Sequence, residues 1–141
     1  LRDGTGTITA NTFDGVATSA NYADLAEIYS TDKEYEVGTV MAIGGEAETT
    51  EYDKTKSAFG VISEKPGFLM NKDAEGQAIA FVGRVPVKVK GAVSKGDKVF
   101  ADDGGVATTT KKGELVGFAL ATDTNESTKL VEVALRLINN S

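Results

Sequence analysis

A chain of 141 residues, 40% of them hydrophobic, is long enough to bury the core of one domain, with or without an appended segment. The absence of cysteine and histidine excludes disulfides, Cys/His zinc sites, thiolate nucleophiles and Ser-His-Asp triads, and we expect no cofactor. A net charge of −6, with no basic run longer than Lys111-Lys112, and the lack of a long apolar run argue against nucleic acid and against membrane insertion.

The first 21 residues are predicted to form a segment distinct from a β-rich domain at residues 22–141. Nearly all of residues 1–20 are small or polar, and the larger apolar side chains are Leu1, Ile8, Phe13 and Val16. So few apolar groups do not offset an ordering cost of about 1–2 kcal/mol per residue. Two interpretations stay open: a flexible linker, or short strands of a shaft completed by neighbouring copies of the chain.

A short amphipathic helix is predicted at residues 21–29, at the start of the domain. Its apolar residues recur at i, i+3, i+4 and i+7, beginning at Tyr22 and ending at Tyr29, and Asn21 is available as an N-cap. We expect this helix to cover one end of a barrel. Asp24 and Glu27 lie off the apolar stripe, about one turn apart, where they would form either an acidic pair or part of a solvated face.

From residue 34 onward the pattern predicts antiparallel β strands separated by glycine turns. The strands are expected at residues 37–43, 57–63, 78–90, 93–101, 115–121 and 130–137, with a short apolar patch at 68–70. Pro86 cannot donate a backbone hydrogen bond, which predicts an edge or a bulge at that point. Arg84, Lys88 and Lys90 share a strand face and are interpreted as protection of that edge.

An internal near-repeat relates the two halves of this β region. Residues 36–62 and 94–119 each read as a polar-x-Gly turn, a strand, a Gly-Gly turn and a strand with an internal glycine, at an offset of about 57–60 residues. The pattern indicates either two related hairpin units in one barrel or chance similarity imposed by turn chemistry. In the second unit, Asp102-Asp103-Gly-Gly is interpreted as a hairpin turn, because it lacks the spacing of a calcium loop.

Intramolecular chemistry is the one catalytic hypothesis that the inventory of side chains permits. Ser19, Asn21 and Asp24 lie at the junction of the two segments, where a strained peptide bond would be open to self-cleavage assisted by a carboxylate. No separate catalytic residue and no metal ligand is predicted.

A family resemblance emerges from the order of the motifs. Residues 4–27 end in Ala-Asp-Leu-Ala-Glu at 23–27, and the motifs at 35–40, 60–63, 67–71, 83–87 and 95–97 follow in the order seen in phage tail-fibre and related virion proteins. This resemblance implies a mainly β protein in which a short trimeric β shaft leads into a small antiparallel barrel or clip-like head. It also implies a virion location, a homotrimer and other virion tail proteins as partners. The interface between the three chains would then include Ile8, Phe13 and Val16.

The Ala-Asp-Leu-Ala-Glu motif is also similar, more distantly, to the start of the self-cleaving chaperone domain of phage neck-appendage proteins, with Leu25 in place of an aromatic residue. This second resemblance implies an alternative function, an intramolecular chaperone cleaved near Ser19 to Asp24. A third hypothesis is a module that contacts a glycan or protein of the host surface. Its candidate aromatic residues are Tyr22, Tyr29, Tyr35, Tyr52 and Phe68.

Overall fold

The computed structural model describes residues 23–137, which form ten β strands and no helix. The first five strands are β1 (Asp24–Tyr29), β2 (Val40–Ile43), β3 (Thr49–Glu51), β4 (Ala58–Ile62) and β5 (Phe68–Met70). The remaining five are β6 (Gln77–Val89), β7 (Lys98–Asp102), β8 (Val106–Thr108), β9 (Leu115–Ala119) and β10 (Lys129–Arg136). No helix in this part of the chain is long and apolar enough to cross a membrane.

Five strands close into a barrel in the order β6, β10, β9, β7, β8 and back to β6. The longest ladder joins β6 and β10 in antiparallel register over eight residues, and a parallel contact between Val89 of β6 and Ala107 of β8 completes the ring. The strands β4, β2 and β3 extend the sheet from β6, while β1 lies between β6 and β5. The prediction of a mainly β, barrel-like domain is therefore confirmed.

The interior of the barrel is filled by valines from the strands with alternating patterns. Val85, Val87 and Val89 of β6 face Val131 and Val133 of β10 in one cluster of buried residues. Each of these side chains is nearly or fully inaccessible to solvent, while the intervening residues of β6 are less buried. The period of two in the sequence thus marks the faces of both strands correctly.

The internal repeat is present in the strand pairing itself. β2 and β4 pair with a bulge after Met41, whose partner is Gly60, and β7 and β9 pair with a bulge after Val99, whose partner is Gly117. The offset is 58 residues between Met41 and Val99 and 57 residues between Gly60 and Gly117. Two units therefore share one register and one irregularity, which turn chemistry alone would not produce.

The turns that open the two units also match. Gly38 N donates to Ile62 O at 2.9 Å, and Gly96 N donates to Ala119 O at 2.8 Å. Both glycines have positive φ angles, +89° and +93°, so the same backbone conformation begins each unit. The interpretation of the near-repeat as two related hairpin units is confirmed. So is the hairpin interpretation of Asp102-Asp103, since β7 and β8 are joined there in antiparallel register.

The predicted helix at the start of the domain is wrong, because Asp24–Tyr29 is a strand. β1 pairs antiparallel with β6 and parallel with β5, so both of its edges are hydrogen-bonded. Its inward face carries Asp24, Ala26 and Ile28, at a period of two. The helix prediction failed because it placed Asp24 on the solvent-exposed face. In the structure, hydrogen-bond donors distant in sequence hold the Asp24 carboxylate in the interior.

β6 is a central strand, so the interpretation of Arg84, Lys88 and Lys90 as edge protection is also wrong. Arg84 Nη1 lies 3.6 Å from Glu132 Oε1 of β10, and Lys88 Nζ lies 2.6 Å from Glu36 Oε1. The expectation for Pro86 holds locally. On the side of β6 away from β10, Arg84 N and Lys88 N donate to Ala23 O and Gly38 O, and no strand of the described chain pairs with that side between them.

Candidate functional site at the start of the domain

The buried carboxylate of Asp24 joins three segments at the point where the described chain begins. Only 5% of Asp24 is exposed. Its Oδ2 accepts a hydrogen bond from Ser63 Oγ at 2.7 Å, and its Oδ1 accepts one from Gly67 N at 3.2 Å. Ser63 directly follows β4 and is itself 7% exposed, so the contact is shielded from solvent.

Gly83 of β6 fixes the position of the chain just before Asp24. Its φ angle is +107°, and a Cβ atom added there would lie 2.3 Å from Ala23 O and 2.7 Å from Asp24 Cα. The two backbones therefore approach more closely than any residue with a side chain allows. Arg84 N donates to Ala23 O at 3.1 Å and secures the same crossing.

A cleft of about 210 Å³ opens beside this crossing, in the gap that Pro86 leaves along β6. The residues that line it include Asp24, Ser63, Val37, Leu130 and Arg84. Since proline offers no amide hydrogen for a strand to accept, the gap stays open between the hydrogen bonds made by Arg84 N and Lys88 N.

Two carboxyl groups have raised pKa values: Asp24, which lines the cleft, and Glu132, which lies against Arg84. Burial is the main cause of the raised pKa of Asp24, and the hydrogen bonds from Ser63 and Gly67 oppose it. Burial likewise raises the pKa of Glu132, against the opposing effect of the Arg84 guanidinium. A carboxylate of raised pKa that accepts a hydrogen bond from a serine hydroxyl has the arrangement of a base beside a nucleophile. The same arrangement serves equally well as a structural tie.

Of the two alternatives for Asp24 and Glu27, the acidic pair is not formed, and the solvated face does not hold for Asp24, which is buried. In a strand these residues point to opposite faces, and Glu27 Oε1 instead accepts a hydrogen bond from Tyr29 Oη at 2.8 Å. No group of three or more acidic residues among residues 23–137 is arranged to hold a metal ion. Ser19 and Asn21, the other residues of the cleavage hypothesis, lie outside the described residues, as do Ile8, Phe13 and Val16.

The candidate aromatic residues do not assemble into one stacking surface. Tyr29 packs edge-on against Phe59 with ring centroids 5.0 Å apart, and Tyr35 is buried and donates to Asp32 Oδ1 at 2.6 Å. Tyr52 is also buried, whereas Phe68 is 63% exposed. Tyr22 lies outside the described residues. The four candidate rings that the structure describes therefore do not build a broad sugar-stacking face.

The partners of Asp24 were not predicted from the sequence. Ser63 and Gly67 are 39 and 43 residues away from it, and no local pattern connects them. The nearest signal is a run of strand, serine and Pro-Gly turn at residues 57–67, which places polar backbone and hydroxyl groups at a strand end.

Comparison with known proteins finds no matching protein-family model and no matching curated protein. Among solved structures, the C-terminal fragment of gene product 12 of bacteriophage phi29 matches at 14% identity and a TM-score of 0.60, over 80% of this chain and 100% of the fragment. The pre-mature form of phi29 gene product 12 matches at 14% identity and a TM-score of 0.62, over 93% of this chain but 23% of its own length. Likeness at this identity establishes a shared fold.

Proposed function

We propose that this chain is the structural head of a phage virion appendage, a trimer in which residues 1–21 form the end of a shaft. The observation that carries the proposal is the fold, which phi29 gene product 12 shares over 93% of this chain. The order of sequence motifs supports the same proposal independently of the fold. In the trimer, Ile8, Phe13 and Val16 of the three chains pack together about a common axis.

A mass of about three chains of 14.7 kDa each is expected in solution, measured by light scattering on a sizing column. The triple variant Ile8→Asp, Phe13→Asp and Val16→Asp is expected to lower the mass to that of one chain, because it buries three charges per chain at the interface. The matched control carries the same three aspartates at polar neighbours, Thr7, Thr12 and Thr18, and is expected to remain trimeric.

A trimeric mass in the triple variant would contradict the assigned interface, and a monomeric mass of the unaltered chain at micromolar concentration would contradict the trimeric shaft. The proposed location in the virion is tested by a separate experiment. Peptides from residues 23–137 are expected in digests of purified particles of the phage that encodes the chain, and their absence would contradict a virion role.

Self-cleavage near Ser19 to Asp24 is a second candidate function, favoured by the contact between Ser63 Oγ and Asp24 Oδ2. Net hydrolysis would break one peptide bond, consume one water molecule and leave a new carboxylate and a new amine. The expected result is two fragments in the intact-mass spectrum of the incubated chain, and a single uncleaved mass for Asp24→Ala. A single unchanged mass for the unaltered chain over several days would overturn this candidate and leave the structural role intact.

A further inference from the structure

A second cleft, of about 490 Å³, lies on the barrel between β7, the start of β9 and the segment that follows β3. We call it the lysine cleft, because four lysines line it: Lys54, Lys56, Lys111 and Lys112. The first two and the last two are separated by more than 50 residues in sequence, so the cleft exists only in the folded chain. Its volume lies in the usual range of small-ligand sites, about 300–1,000 Å³.

The concentration of positive charge runs against the charge of the whole protein, which is −6. Two of the lysines have acidic neighbours: Lys56 Nζ lies 2.7 Å from Asp53 Oδ2, and Lys54 Nζ lies 3.8 Å from Asp103 Oδ2. Within residues 23–137, neither Lys111 nor Lys112 forms an ion pair. Glu114 lines the same cleft and offsets part of this charge, so the remaining positive charge is local to Lys111 and Lys112, where it attracts an anionic group.

The floor of the lysine cleft carries a neutral hydroxyl and a carboxylate. Tyr52 is 1% exposed, and its pKa is raised to about 12 by burial, by the charge of Glu114 and a hydrogen bond to it, and by the charges of Asp103 and Asp102. Its hydroxyl thus stays protonated. Glu114 Oε2 also accepts a hydrogen bond from Ala58 N at 3.1 Å. A Cβ atom on Gly113 would lie 2.2 Å from Tyr52 Oη, so only glycine lets the backbone pass this close to the hydroxyl.

The combination of lysines and Glu114 in the lysine cleft favours an anion that also carries hydroxyl groups over phosphate. A carboxylate has further lone pairs beyond the bonds that Glu114 already accepts, and a ligand hydroxyl can donate to them. A phosphate dianion carries twice the charge of a carboxylate and has at most one hydrogen to donate, so Glu114 would repel it more strongly than it repels the carboxylate of a sugar. Phe100, which also lines the cleft and is partly exposed, offers an apolar surface for the carbon face of a sugar ring.

We propose that the lysine cleft binds a carboxylated saccharide. The sugar carboxylate pairs with Lys111 and Lys112, the sugar hydroxyls donate to Glu114, and the ring lies against Phe100. The proposal deepens the proposed function, on which its biological meaning rests, since a virion head of this kind would meet acidic glycans at a cell surface.

The test is calorimetric titration of the full chain with trigalacturonate at low ionic strength. The double variant Lys111→Ala and Lys112→Ala is expected to bind about tenfold more weakly, a loss of about 1.4 kcal/mol. The matched control, Lys72→Ala with Lys95→Ala, makes the same change in net charge at exposed positions outside the cleft and is expected to bind as the unaltered chain does. The fully methyl-esterified trisaccharide and inorganic phosphate are expected to bind at least about tenfold more weakly than trigalacturonate.

Three outcomes would overturn the proposal: no binding of trigalacturonate, equal losses in the two double variants, or phosphate binding as tightly as the saccharide. The circular dichroism spectrum and the solution mass of each variant are recorded alongside the titrations. Absence of binding by an unaltered chain of trimeric mass counts against the cleft alone. A wrong mass of the unaltered chain counts against the proposed trimer, whatever the titration shows.

Discussion

Replacement of Gly83 by alanine is expected to lower the free energy of unfolding by about 3–5 kcal/mol, the largest effect of any single substitution considered for this chain. Two costs combine. The φ angle of +107° is unfavourable for a residue with a side chain, and the new Cβ would overlap Ala23 O, 2.3 Å away, in a backbone that cannot yield without breaking the pairing of β1 with β6. Urea denaturation followed by circular dichroism measures the loss.

Gly96→Ala is the matched control for this substitution. Its φ angle is +93°, close to that of Gly83, but no atom lies within 4 Å of the added Cβ. It is therefore expected to cost only the conformational part, about 1–2 kcal/mol. The difference between the two variants measures the close approach of β1 to β6. Equal losses would show that β1 does not hold the chain against Gly83.

Asp24→Ala is expected to lower the free energy of unfolding by about 2 kcal/mol at neutral pH, because it leaves the buried Ser63 hydroxyl without an acceptor and also removes the acceptor of the Gly67 amide. Ser63→Ala removes one donor and should cost about half as much. As a control, Asp97→Ala deletes a carboxylate that accepts one backbone hydrogen bond from Ser94 in an exposed turn, and its effect should stay below about 1 kcal/mol.

Asp24→Asn isolates the effect of pH at the same position. The pKa of Asp24 is raised in the folded state above its ordinary value of 3.8, so the folded chain binds the proton more tightly than the unfolded chain does. The resulting stabilisation is complete below pH 3.8 and is lost as the pH rises through the raised pKa. The free energy of unfolding of the unaltered chain minus that of Asp24→Asn should therefore decrease over this window. An increase would mean that the hydrogen bonds outweigh burial.

Intact-mass spectra, recorded beside these stability measurements, separate a structural role of Asp24 from a catalytic one. If Asp24 only ties β1 to the segment after β4, Asp24→Ala lowers stability and the mass of the unaltered chain stays constant. If it assists cleavage, the unaltered chain breaks and the variant does not. Because Asp24 is nearly inaccessible and accepts two hydrogen bonds, the two roles share one geometry, and only the mass spectrum distinguishes them.

The barrel strands were predictable because their signals are local. In β6 and β10 one face is wet and the other buried, so valine alternates with polar residues and the period of two is written in the sequence. The glycines at 38 and 96 mark positive φ angles for the same local reason. Because the two units repeat in sequence, β7 pairs with β9 in the same register as β2 pairs with β4.

The strand at the start of the domain could not be predicted from local patterns of this kind. The pattern of Tyr22, Leu25, Ala26 and Tyr29 fits a helix, but a helix would satisfy its own backbone, whereas β6 and β5 each offer a free edge to a strand. Once β1 fills that space, Asp24 must point inward, and it is tolerated there because Ser63 and Gly67 supply donors. The deciding contacts span about 40 residues, beyond the reach of any local pattern.

The sequence alone determined that this is a glycine-punctuated β protein with an internal near-repeat, without the side chains needed for thiol, imidazole or zinc chemistry. Only the tertiary structure decided that the chain enters the domain as a strand, that a buried carboxylate ties down that entry, and that four lysines share one cleft in an acidic protein. The physical reason is range: alternation and turn chemistry act between residues near in sequence, whereas burial and electrostatics act between groups that only folding brings together.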